Sequence, residues 1–83
     1  MRRPWYRARS LVSLGAALAQ QRKDAGLDQQ QMSAAINSSR PTISRMERGE
    51  AVSSKTVWDA VARGGYELII VPRGAHVTVE DPQ

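Results

Sequence analysis

The chain has 83 residues, no cysteine and a net charge of +4, which points to one domain with a small core and excludes disulfide staples and thiolate metal sites. No stretch approaches the roughly 20 apolar residues of a membrane span, so a cytoplasmic protein with no membrane attachment is expected. His76 is the only histidine, and without paired carboxylates in an apolar setting or a glycine-rich phosphate loop no constellation for an enzyme stands out; neither a cofactor nor a metal is expected.

Residues 1–10 form a basic arm, with Arg2, Arg3, Arg7 and Arg9 beside Pro4, Trp5 and Tyr6 and no acid. Such a run suits a polyanion, lying along phosphates or entering a minor groove; the alternative is a loosely packed terminus. Residues 11–65 then carry four helical patterns. In the first, over 10–25, Leu11, Leu14, Leu18 and Ala25 share a face, Ser10 or Ser13 caps the start, and Gly26 suits a left-handed stop. Asp28 is an N-cap for the second helix, with Gln31 three residues on as in a capping box, and Met32, Ala35 and Ile36 form its apolar stripe. Asn37, Ser38 and Ser39 break the pattern.

The third helix starts near Arg40, with Ser39 as cap and Pro41 tolerated in the first turn, and Gly49 ends it. A fourth runs from about Ser54 to Arg63, with Val57, Trp58 and Val61 expected on the buried side. Residues 66–83 form a tail more acidic than the rest, carrying Arg73 against Glu67, Glu80 and Asp81. Within it, the run from Tyr66 to Val71 is β-branched, aromatic and bounded by Gly65 and Pro72, which predicts a strand. Tyr66, Leu68 and Ile70 alternate with Glu67, Ile69 and Val71, and the first set is the natural one to pack on the fourth helix. A lone apolar strand must find a partner for its backbone. That partner is either a second copy, which makes Tyr66, Leu68, Ile69, Ile70 and Val71 a dimerisation element, or His76–Val79 of the same chain.

The third helix carries the most informative chemistry. At about 100° per residue, Arg40, Pro41, Ser44, Arg45 and Arg48 fall within an arc of about 140°, while Ile43 and Met46 lie opposite. One face is thus anchored in a core and the other presents arginines, a hydroxyl and an apolar ring. Such a helix fits the major groove of duplex DNA, where arginine bonds guanine bidentately and an apolar ring meets a thymine methyl. A solvated polar face on a small helical protein is the plain alternative.

The stretch from Gly26 to Gly49 resembles the helix-turn-helix of the Cro/C1-type (Xre) family: Gly26-Leu27, Gln29, Ser39, Thr42-Ile43-Ser44, Glu47 and Gly49 all stand in register, and with the flanking helices the resemblance covers residues 11–63. Asp28 stands where the family has threonine, Asn37 where it has the turn glycine, and Pro41 where it often has a polar residue. The resemblance implies a mostly α fold, a four- or five-helix domain, here with a short C-terminal β-strand. It implies that Arg40, Pro41, Ser44 and Arg45 read bases. Gln29, Ser39, Thr42, Arg48, Ser53, Ser54 and Lys55 would meet the DNA backbone, and Arg22 and Glu47 would form a structural ion pair.

The segment Gly65–Arg73 is similar to the C-terminal strand of the HipB-like antitoxin branch. That similarity implies a homodimeric repressor on a palindromic operator, autoregulating a toxin-antitoxin operon, with a HipA-like kinase toxin as partner. The alternatives are a phage- or plasmid-type repressor without a toxin, and an interaction module that neutralises a toxin without DNA.

Overall fold

Each helix begins where a short polar side chain can take over an amide that the first turn leaves without a carbonyl. In the computed structural model, which describes residues 3–80, these caps define α1 (Leu11–Asp24), α2 (Gln29–Ala35), α3 (Arg40–Glu47) and α4 (Ser54–Arg63). Ser10 and Ser13 form a capping box on α1, Asp28 and Gln31 another on α2, and Ser39 and Ser53 cap α3 and α4. The connections turn through left-handed residues. Gly26 has φ +76° and Asn37 φ +54°, a region that asparagine visits more easily than most residues with a side chain. Arg2 and Asp81 lie outside the described residues.

α3 packs on α1 and α2, and α4 closes against the same two helices. Their shared interior is small: Leu18, Met32, Ile43, Met46, Ala60 and Val61 are buried, ringed by half-buried Leu14, Leu27, Ile36, Val52, Val57 and Tyr66. Polar groups complete it. The buried Gln21 amide donates to the carbonyls of Ala60 and Val61 at 2.9 and 3.0 Å, tying α1 to the end of α4. Ser33 donates to Gln30 O at 2.7 Å. Among the described residues no buried side-chain polar atom lacks a partner, as a small core requires.

α1 and α3 meet at Gly15. A Cβ there would stand 2.6 Å from the carbonyl oxygens of Met46 and Glu47, so only glycine admits this approach. The buried stripe of α1 is therefore Leu14, Gly15, Leu18, Gln21 and Arg22, and it leaves Leu11 and Ala25 exposed, contrary to the sequence expectation. Trp58 also differs. It is 64% exposed, because Val57, Ala60, Val61 and Gly64 form the inward stripe at helical spacing and Trp58 lies one step round from it. Ala35 likewise faces solvent.

The expected strand over 66–71 is not formed among the described residues. Tyr66 is half-buried against the core, but Leu68, Ile69, Ile70 and Val71 are exposed, and Ile70, expected on α4, is 98% exposed. A ladder needs a second strand, and in the single chain His76–Val79 does not supply one.

The arm does not trail away. Arg3 lies 4.6 Å over the Tyr66 ring and donates to Gly64 O and Gly65 O at 3.1 and 3.4 Å, beyond the end of α4. Tyr66 Oη donates to Pro4 O at 2.7 Å, and the Tyr6 and Tyr66 rings sit 5.9 Å apart. Tyr6 Oη reaches the Asp24 carboxylate at 2.9 Å, and Arg7 reaches Ala75 O. Residues 3–9 thus form a strap between the ends of α1 and α4. No helix among the described residues is long and apolar enough to cross a membrane.

Candidate nucleic-acid interface

α3 is an eight-residue helix, too short to persist in water without neighbours. Its position is fixed from inside. Ile43 is fully buried and Met46 nearly so, and Glu47 receives three hydrogen bonds. Arg22 donates to it through Nε at 2.6 Å and Nη2 at 3.0 Å, and Gln29 Nε2 donates at 3.1 Å. Arg22 Nη1 also holds Leu27 O at 2.8 Å. The Arg22–Glu47 pair therefore joins α1, the α1–α2 turn, the start of α2 and the end of α3.

With the inner side anchored, the outer side is presented without distortion. Arg40, Pro41 and Arg45 are exposed and Ser44 is half-buried. Neither Arg40 nor Arg45 forms an ion pair or side-chain hydrogen bond with a described residue. Their guanidiniums are free to meet the major-groove edges of guanine. Arg48 differs: it donates to Ser44 Oγ and, through Nε, to Glu50 Oε2 at 2.7 Å, so Arg48 and Ser44 are bound to each other rather than presented separately.

The residues expected at the DNA backbone divide in the same way. Ser39 and Thr42 exchange a hydroxyl hydrogen bond at 2.8 Å, and Ser53 bonds Thr56 Oγ1 at 2.8 Å, so both serines are occupied as caps. Ser54 is exposed. Lys55 Nζ sits 2.5 Å from Asp59 Oδ2 at the exposed start of α4. The Gln29 side chain is turned inward to Glu47 rather than outward. The sequence did not reveal that inward turn, the Arg48–Glu50 contact or the strap. The pairing of Trp5 and Tyr6 with arginines in the arm was the one available signal for the strap, since aromatic rings in a terminus have surface to cover.

Residues 13–68 match the family described as Helix-turn-helix domain. Two crystal structures of the clp gene regulator ClgR from Corynebacterium glutamicum are similar to the chain. One is 31% identical with a TM-score of 0.63, covering 69% of this chain and 62% of its own. The other is 30% identical with a TM-score of 0.64, covering 70% of this chain and 76% of its own. The chain thus spans less than two thirds of the first of these structures. No curated protein matches.

Proposed function

Because the chain belongs to the helix-turn-helix domain family, we propose that it binds DNA and is a sequence-specific transcriptional regulator acting as a homodimeric repressor on a palindromic operator. The observation that carries this reading is the division of α3. Ile43 and Met46 are buried on one side, while Arg40, Pro41 and Arg45 stand exposed on the other, with neither guanidinium paired to a described residue. In this reading Arg40 and Arg45 take guanine edges, Pro41 lies against a thymine methyl, and Ser44 positions Arg48 toward a phosphate. Lys55 and Ser54 at the start of α4 meet the backbone beside Ser39, Thr42 and Ser53. Gln29 acts through Glu47 instead of on a phosphate. The similarity to a gene regulator supports the regulatory role.

Selection of bound duplexes from a random pool, followed by footprinting, tests the proposal. A palindrome with half-sites about one helical turn, roughly 34 Å, apart is the expected result. Equal retention of all sequences, with binding governed by salt alone, overturns it. The antitoxin reading, with a HipA-like kinase as partner, rests only on the segment Gly65–Arg73, which forms no strand among the described residues. A repressor without a toxin uses the same segment for the dimer alone.

A further inference from the structure

From Glu67 to Arg73 the chain runs Glu-Leu-Ile-Ile-Val-Pro-Arg. The chemistry of this segment reverses about Ile70: an acid stands three residues before it and a base three after, with β-branched Ile69 and Val71 on either side. The segment lies outside every helix. No backbone N–H between Glu67 and Arg73 donates to a described residue, and Glu67 and Arg73 take part in no ion pair there. Ile69 and Ile70 are 72% and 98% exposed. An edge of unpaired donors beside exposed β-branched side chains is a template for another strand.

We propose that this edge is completed by the same segment of a second copy, paired antiparallel about a two-fold axis at Ile70, so that Glu67 lies opposite the partner's Arg73. The inference rests on the homodimer reading above and adds its register. In that register Ile69 faces the partner's Val71, and Glu67 and Arg73 form two cross-strand ion pairs on the same side of the ribbon as those apolar pairs. Moving the axis to Ile69 or Val71 sets Glu67 against the partner's Val71 or Ala75, and the charges no longer meet.

Proline supplies a second constraint. Antiparallel pairs alternate between sites that exchange backbone hydrogen bonds and sites that do not. If Ile70 occupies a non-bonded site, then Leu68 opposite the partner's Pro72 is also non-bonded, and the proline lacks nothing. The odd-numbered residues, all with N–H groups, carry the ladder. The same axis therefore satisfies charge, apolar pairing and the one residue that cannot donate.

Sedimentation equilibrium on the full chain tests this with Glu67→Arg, Arg73→Glu, the doubly exchanged chain and an equimolar mixture of the two single variants, each first shown helical by circular dichroism. Each single substitution sets like charges opposite each other twice per dimer and is expected to raise the dimer dissociation constant about tenfold. The double exchange and the mixture restore opposite charges and are expected to recover wild-type association. A wild-type dimer whose single variants associate unchanged, or whose mixture does not recover, overturns the register and leaves the homodimer standing. A monomeric wild-type chain overturns both.

Discussion

Arg22 grips Glu47 with two nitrogens, at 2.6 and 3.0 Å, and both side chains are less than a tenth exposed. A buried pair of this kind holds position more than it adds stability, but its halves cannot be separated cheaply. Arg22→Ala or Glu47→Ala leaves the other charge buried, and each is expected to cost about 3 kcal/mol in urea unfolding. Adding the second substitution to the first is expected to cost little more. Single variants within about 0.5 kcal/mol of wild type would show that the pair is inert.

The approach of α1 to α3 gives a second outcome. Gly15→Ala drives a methyl to within 2.6 Å of two carbonyl oxygens on α3, and is expected to cost about 1–3 kcal/mol by forcing the helices apart. Gly26→Ala meets no atom within 4 Å but sits at φ +76°, so its cost is about 1 kcal/mol of backbone strain alone. The two also separate by function. Displacing α3 weakens DNA binding in the first variant, while affinity is kept in the second, as gel-shift titrations would show.

On the DNA face, Arg40→Ala and Arg45→Ala are each expected to cost about 1–3 kcal/mol on the best operator and to relax preference at one base position. Melting should not change, since neither side chain bonds to a described residue. Lys55→Ala is expected to weaken all sequences alike and reduce the salt slope by about 1. Arg48→Ala should cost less than either reader, because its guanidinium is already engaged by Ser44 and Glu50. Equal losses on operator and random duplex for Arg45→Ala would remove it from base readout.

The strap changes what the basic arm is expected to do. With Arg3 held at Tyr66, Gly64 and Gly65, deleting residues 2–9 should lower thermal stability and speed amide exchange around Gly64–Tyr66. The salt slope of DNA binding should shift by less than about 1 unit. A drop of three or four units with unchanged melting would instead place the arginines along phosphates.

Tyr6 offers a spectroscopic check on the same contact. Burial, then its hydrogen bond to Asp24, pushes the phenol up from 10.0 to about 12. The neutral phenol's contribution to stability is whole below the ordinary value and is lost as pH climbs through the folded one. Ultraviolet titration should show one tyrosine ionising late in the wild type. Asp24→Asn should bring it down, and an unshifted curve in the wild type would mean the strap is open.

What the sequence disclosed was local. Ser10, Asp28 and Ser39 begin helices because each bonds an amide three residues away, and Gly26 and Asn37 turn the chain through angles set by their own backbones. The two faces of α3 were legible because Ile43 and Met46 are its only large apolar residues. Trp58 and Leu11 misled because hydrophobicity says that a residue gains from burial, whereas the glycine contact between α1 and α3 and the Gln21 link to α4 decide which stripe turns inward. The strap was hidden for another reason: Tyr66 and Pro4 lie 62 residues apart, and no periodicity reports so distant a hydrogen bond. The strand from Tyr66 to Val71 was overread, since β-branched composition specifies an extended chain but not the neighbour a ladder needs.

The division of α3 has an evolutionary consequence. Arg40, Pro41 and Arg45 supply chemistry to the outside and no packing to the inside, so the scaffold does not constrain what stands there. On the proposed reading, a chain with the same interior can change its operator by substitution at these few positions and fold as before. Regulatory circuits built from copies of this domain can therefore diverge in the sites they address without first passing through a destabilised intermediate.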